Sequence, residues 1–271
     1  MDQPPVIQAL TRTELADLKQ ARALLENPGF TIRLASTLGS PLEQGFALLP
    51  RGWSEVVNRA ARAALMRALS LAVVTLGKRN PRPARELFHK VLAGASGGIG
   101  GAFGLGALPV ELPLSTAIML RSIADIARSE GHDLSHIQTR LECLEVFAFC
   151  GGKAARGATE STYWVTRSAL SKTVSEAASY LAQKGALKPT APALARLVNE
   201  LAARFGVVVS EEVAAKAVPI IGAASGGVIN VLFIAHFQDM ARGHFIVKRL
   251  EARYGTDRVK LLYEEMAGAG R

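Results

Sequence analysis

The chain has 271 residues, of which 49% are hydrophobic, and carries a formal net charge of +9. This length accommodates one large domain or two small ones with ample apolar material for a core. The basic balance suits anionic lipid, an acidic protein surface or nucleic acid. Because only 6% of the residues are aromatic and no basic stretch is interleaved with stacking side chains, we expect no nucleic-acid partner.

Helical periodicity dominates the first third of the chain. Thr11 and Glu14 have the spacing of a capping box, which predicts a helix from there to about Glu26. A short, broken helix is expected over residues 31–49, and the apolar spacing predicts a long helix from Trp53 to Leu76. No segment of comparable length alternates with period two, so we predict an all-α fold.

The segment from Arg51 to Lys90 is strongly basic. It contains nine lysines and arginines against two acidic residues, which gives a formal charge of +7. Attraction to anionic lipid is worth about 1 kcal/mol per basic residue near the surface. A solvated helix face followed by a basic loop is the alternative interpretation. The residues predicted to bind lipid are Arg59, Arg62, Arg79, Arg82 and Arg85.

Two long uncharged runs, at residues 91–110 and 217–235, share an Ala-Ser-Gly-Gly core. Small residues four apart give a helix a smooth face that another backbone can approach closely. Both runs also reach the roughly 20 residues needed to cross a bilayer. The alternatives are therefore a buried helix pair and a membrane-inserted hairpin. The predicted packing positions are Gly94, Gly98, Gly101, Gly222 and Gly226.

A helical segment that turns polar follows each run and ends on a glycine, Gly131 in the first case and Gly255 in the second. This parallel predicts a helical bundle of two pseudo-repeated units whose glycine-rich hydrophobic helices pack together. We also expect a polar cluster between the two units. Its predicted members are Arg121, Asp125, Asn230, His236 and Asp239.

The stretch from Pro109 to Pro113 is expected to break the helix after the first run, because proline removes a backbone donor and clashes with the preceding turn. Glu111, between these prolines, is the single charge in a long apolar region. It lies either at a solvent-facing bend or buried beside a cationic partner. We favour the bend.

No motif in the chain names a reaction. His132 and His136 have the spacing of a zinc-binding helix, but an aspartate replaces the expected glutamate and Gly131 precedes the first histidine, so we predict no metal. A hydrolase that uses His236 with Asp239, or the first histidine pair, is one alternative function. A membrane-inserting effector or pore-forming protein is another.

Cys143 and Cys150 have no partners at metal-ligand spacing, which is typical of reduced cysteines in a cytosolic protein. The first ten residues lack a basic start followed by an apolar run, so no secretory signal is expected. We therefore predict a cytoplasmic location, including the inner face of a membrane, and no cofactor.

Several of these segments resemble the EcsC protein family. The resemblance is carried by residues 94–113, by the helix at 119–127, by the Lys-Ala-Val-Pro-Ile-Ile-Gly segment at 216–222, and by Tyr254 with Gly255. It places a family domain at residues 31–271, behind an N-terminal tail and helix at 1–30. Relatives have tyrosine before the glycine that ends the first unit, whereas this chain has Glu130.

The family resemblance implies no catalytic residue and no cofactor, and it suggests a membrane transport complex as partner. Together with the basic segment, it predicts a peripheral membrane or lipid-interacting accessory protein of unknown biochemical activity. Such a protein would be linked to membrane transport or secretion and would bind anionic phospholipid.

Overall fold

The structure is a computed structural model that describes residues 10–26, 30–38, 42–76, 108–149, 161–184, 188, 191–217 and 219–268. These residues form ten α-helices, one 3₁₀ turn and no strand, which confirms the all-α fold. The helices are α1 (Arg12–Leu25), α2 (Phe30–Leu38), α3 (Leu42–Leu48), α4 (Trp53–Thr75), α5 (Leu108–Ser129), α6 (Ile137–Glu145), α7 (Thr162–Lys184), α8 (Pro192–Ala217), α9 (Pro219–Tyr254) and α10 (Thr256–Gly268).

The predicted capping box opens α1. The Thr11 hydroxyl accepts a hydrogen bond from the Glu14 backbone N–H at 3.2 Å, and the Glu14 carboxylate accepts one from the Thr11 backbone N–H at 2.9 Å. Two backbone donors that lack partners within the helix are thereby satisfied. The apolar face of α1 then packs along α9, with Leu18 and Leu25 buried.

The long helix α9 forms the centre of the bundle and contacts α1, α2, α5, α8 and α10. Its buried phenylalanines make edge contacts with aromatic rings from other elements. Phe237, for example, lies 5.3 Å from Phe147 and 5.7 Å from Phe205, measured between ring centroids. Such aromatic pairs contribute about 0.5–1.5 kcal/mol each beyond their buried area.

Helices α4 and α5 pack side by side and run in the same direction. The Arg128 guanidinium, near the end of α5, donates to the backbone oxygen of Leu76, just after α4, at 3.3 Å. Because the two helices also contact each other extensively, their starting ends lie at the same end of the bundle. The connection that returns the chain between them, residues 77–107, lies outside the described residues.

The helix break expected at the prolines is wrong. Helix α5 begins at Leu108 and continues through Pro113. Pro109 is the second residue of the helix, where the backbone N–H would have no partner inside the helix. Pro109 thus costs no helical hydrogen bond. Pro113, in the second turn, lacks the N–H for one such bond, and the burial of the α5 apolar face outweighs that loss.

The two glycines that were expected to end helical segments do so. Gly131 has φ of +87° and ends α5 in a Schellman motif, with N–H groups of Gly131 and His132 bonded to the oxygens of Arg128 and Ala127. Gly255 has φ of +82°, and its N–H bonds to the oxygen of Glu251. The equivalence of the two units stays a prediction.

The glycine-rich runs are described only in part. Gly94, Gly98 and Gly101 lie outside the described residues, whereas Gly222 and Gly226 lie in the first turns of α9. Among the helices that the structure describes, none is both long enough and apolar enough to cross a membrane.

Candidate functional site

The predicted polar cluster is distributed over several environments. On α5, Arg121 is exposed, and the Asp125 carboxylate accepts from the Arg128 guanidinium at 3.1 Å. Arg128 also contacts Leu76, so Asp125 lies where the ends of α4 and α5 meet. The other three predicted members, Asn230, His236 and Asp239, belong to α9.

His236 and Asp239 share a neighbour on α2. The Arg33 guanidinium donates to the Asp239 carboxylate at 2.7 Å. His236 is buried beside the rings of Phe30 and Phe237. Burial, aided by the charge of Arg33, lowers the pKa of His236 to about 4, and a hydrogen bond with the backbone of residue 149 opposes this. The imidazole is therefore neutral at pH 7, while Arg33 engages the carboxylate of Asp239.

Asn230 belongs to a second environment, a buried ion cluster that we call the Lys216 cluster. It consists of Glu111 from α5, Glu212 and Lys216 from α8, and Asn230 from α9. The Lys216 ammonium lies 2.8 Å from a carboxylate oxygen of Glu111 and 2.8 Å from one of Glu212. The amide nitrogen of Asn230 donates to the same Glu111 oxygen at 3.4 Å.

The position of Glu111 corrects the expectation of a solvent-facing bend. Its side chain is only 12% exposed, beside Lys216 at 15% and Glu212 at 7%. The alternative considered for Glu111, burial beside a cation, is therefore the one observed. Its partner comes from α8, more than a hundred residues later in the chain, and no local pattern around Glu111 identifies it.

Burial is the main influence on the charges of the Lys216 cluster. It raises the pKa of Glu212, although the neighbouring Lys216 ammonium opposes the shift. Burial alone would lower the pKa of Lys216, but the carboxylates of Glu212 and Glu111 raise it overall. Lys216 therefore remains charged and balances one of the two carboxylates, and the cluster ties α5 and α8 to the first half of α9.

A third group, which we call the Arg167 cluster, connects α6, α7 and α9. The guanidinium of Arg167 makes two parallel hydrogen bonds to the Glu251 carboxylate, at 2.7 and 2.6 Å. It also donates to the Tyr163 hydroxyl at 3.3 Å, and that hydroxyl lies 3.0 Å from Nδ1 of His244. Bidentate, charge-assisted bonds of this kind are among the stronger polar contacts in proteins.

Two carboxyl groups of α6 extend the Arg167 cluster. The Lys248 ammonium lies 2.8 Å from the Glu142 carboxylate. Glu145 is buried, and burial raises its pKa to about 7 even though Arg167 opposes the shift. All these side chains are covered by other helices to a large extent, so the cluster serves chiefly to hold α6 and α7 against α9.

The Arg167 cluster is not among the sites predicted from the sequence. One signal was available, because Tyr163 and Arg167, like His244 and Lys248, are four residues apart and therefore share a helix face. The assignment of Glu251 to Arg167 depends on how α7 and α9 pack, which the sequence alone does not show.

The first histidine pair does not form a two-histidine helix face. His136 is the exposed residue that precedes α6, whereas the Nε2 atom of His132 lies 2.9 Å from the backbone oxygen of Phe245. Within the described ranges, histidine, cysteine and acidic side chains nowhere gather in a group of three that could hold a metal ion.

The basic segment contributes an exposed row of side chains on α4, which we call the basic stripe. Arg59, Arg62 and Arg67 are exposed, whereas Ala61, Leu65 and Leu69 are buried. Within the part of the chain that the structure describes, none of these three arginines forms a salt bridge. Arg59 and Arg62 are predicted lipid-binding residues, and Arg67 is added to them by its position in the structure. The other three predicted lipid-binding residues lie in the segment 77–107, outside the described residues: Arg79, Arg82 and Arg85.

Comparison with known proteins identifies a family for this chain. The model of the EcsC protein family matches residues 31–250 of the 271. The chain belongs to the EcsC protein family. The match takes in the basic stripe and the Lys216 cluster, while α1 and α10 lie outside it. No curated protein and no solved structure gives a match.

Proposed function

We propose that this EcsC-family protein attaches peripherally to anionic membrane surfaces through the basic stripe, as an accessory to membrane transport or secretion. Its biochemical activity is left open. The observation that supports the proposal best is the exposure of Arg59, Arg62 and Arg67 on one helix, without carboxylate partners among the described residues. We place the attachment on the cytoplasmic face, where anionic lipids give the surface a negative potential.

The unpaired state of the basic stripe separates it from those arginines of the bundle that already bind a carboxylate. Arg33, Arg167 and Arg253, for example, each bind a carboxylate. A guanidinium with such a partner has less charge to offer a ligand. The stripe arginines keep theirs, and their planar donors match the geometry of phosphate oxygens.

The expected strength of attachment follows from the number of charges. Each basic residue near an anionic leaflet contributes about 1 kcal/mol, so three arginines contribute about 3 kcal/mol, or roughly a hundredfold in partitioning. Arg79, Arg82 and Arg85 would add to this attraction if they reach the same surface. Because the attraction is electrostatic, it should weaken as salt shortens the Debye length.

The test compares vesicle binding of two charge-matched variants. One carries Arg59→Gln, Arg62→Gln and Arg67→Gln. The control carries Lys172→Gln, Lys184→Gln and Lys188→Gln, which removes the same number of charges from exposed positions of α7 and the residues after it. We expect the stripe variant to partition roughly a hundredfold more weakly into anionic vesicles than wild type.

The control variant should bind nearly as wild type does if the stripe is the contact site. Equal losses in the two variants would mean that net charge alone drives binding, and would contradict the assignment to α4. Leakage of a trapped dye in the same experiment separates this proposal from a pore-forming protein, since peripheral attachment leaves the vesicles sealed.

A further inference from the structure

The start of α5 carries exposed apolar side chains, although the rest of the helix is well packed. Val110 is 77% exposed and Leu114, one turn later on the same face, is 53% exposed. We call Val110 and Leu114 the apolar tip.

The charged side chain at this helix start points inward, toward a cation of the protein. Glu111 is the one ionisable residue between Leu108 and Leu120. Its carboxylate turns inward to the Lys216 ammonium at 2.8 Å and is 12% exposed. The side chains of the tip that face outward are thus apolar, and the acidic group that would repel an anionic membrane is already paired.

The apolar tip and Arg59, the first residue of the basic stripe, lie at the same level of the bundle. Helices α4 and α5 are parallel, and Leu76 meets Arg128 at their far ends. With a rise of about 1.5 Å per residue, Arg59 and Glu111 each lie about 25 Å before that contact. A surface that contacts the arginines at the start of α4 is therefore within reach of the tip.

We propose that the apolar tip inserts into the interfacial layer of the anionic membrane that the basic stripe contacts. The inference rests on the proposed function and adds a second, apolar component to it. The stripe provides attraction that salt screens, and the tip provides attachment that salt does not weaken. Attachment through both features would also orient the bundle, with the starts of α4 and α5 toward the lipid.

The first test measures partitioning into vesicles of phosphatidylcholine with phosphatidylserine at low and at high salt. The tip variant carries Val110→Asn and Leu114→Asn. The control carries Val207→Asn and Leu261→Asn, two apolar positions of similar exposure elsewhere on the surface. We expect the tip variant to bind about tenfold more weakly at high salt, whereas the control should match wild type.

A second measurement does not depend on loss of binding. Tryptophan replaces Leu114 in one variant and Leu261 in another, and the emission of Trp53 and Trp164 in wild type is subtracted. Lipids brominated on their acyl chains should quench the tryptophan at residue 114 and leave the one at residue 261 unchanged.

The outcomes separate the two proposals. If the stripe variant loses binding while the tip variant binds as wild type and its tryptophan is not quenched, the tip inference is wrong and the proposed function stands. If wild-type protein does not bind anionic vesicles at either salt concentration, both are wrong.

Discussion

Replacement of Lys216 by methionine tests whether the lysine ammonium stabilises the fold by compensating the buried carboxylates of the Lys216 cluster. Methionine keeps most of the apolar stem of lysine but removes the ammonium, so Glu111 and Glu212 would face each other without a cation. Both carboxylates are largely covered, at 12% and 7% exposure. Water can replace the lost ammonium as a partner of either carboxylate only if the start of α5 opens locally.

The expected cost is large for a single substitution. Removal of one partner from a buried ion pair typically destabilises a protein by about 3–5 kcal/mol, because the remaining charge stays buried. At this chain length about 1 kcal/mol corresponds to roughly 2–4 °C in Tm, so the variant should melt about 10 °C lower at pH 7. Arg196→Met, which breaks the exposed pair with Glu176, should cost at most about 1 kcal/mol.

The loss should depend on pH in a defined direction. Burial already raises the pKa of Glu212 in the wild-type protein, and removal of the Lys216 ammonium, which opposes that shift, should raise the pKa of Glu212 further. A group whose pKa is higher in the folded than in the unfolded state contributes its stability at low pH and loses it as the pH rises. The Lys216→Met deficit should therefore shrink as the pH falls toward about 5, close to the unfolded pKa of glutamate.

Urea denaturation followed by circular dichroism at pH 5 and pH 8 measures this dependence. Addition of Glu212→Gln to the lysine variant should recover part of the loss at pH 8, since one unpaired carboxylate is removed. A Lys216→Met deficit no larger than that of Arg196→Met, or one that does not change with pH, would show that Lys216 does not compensate the buried carboxylates.

Two further predictions concern helix packing and the N-terminal helix. Gly45→Ala should destabilise the protein by about 1–3 kcal/mol, because the added Cβ would overlap the backbone oxygen of Ala214. The control Gly206→Ala meets only a side-chain atom and should leave the Tm unchanged or raise it in thermal melts. Hydrogen bonds from Tyr254 and from the capping threonine lower the pKa of Glu14 to about 2. The contribution of Glu14 to the stability of the fold is therefore complete above the pKa of glutamate in the unfolded chain, about 4.3, and is lost as the pH falls toward 2. Hydrogen exchange in α1 should accelerate in that pH window, and Tyr254→Phe should move the onset to higher pH; an unchanged onset would argue against this anchor.

The local elements of the fold were predictable because their signals are local. The capping box of Thr11 and Glu14 uses residues three apart, and Gly131 and Gly255 fill left-handed positions that other residues adopt at a cost. The error at Pro113 has a tertiary cause. Proline disfavours a helix interior in isolation, but packing of α5 against α4 and α9 offsets the loss of one backbone bond.

The ion clusters were not predictable because their partners are distant in sequence. Glu111 and Lys216 meet only when α5 and α8 pack together, and the same holds for Arg33 with Asp239 across α2 and α9. The lone charge of Glu111 in an apolar region indicated that a partner was one possibility. Which cation would supply it depends on helix packing that periodicity does not encode.

The most direct test of peripheral attachment is flotation of the detergent-free wild-type protein with neutral and with anionic liposomes across a salt series. We expect strong binding to anionic liposomes at low salt, which falls steeply as salt rises and levels off at the weak binding, contributed by the apolar tip, that neutral liposomes also show. Equal binding to neutral and anionic liposomes at low salt, or no flotation with either, would contradict peripheral attachment through the basic stripe.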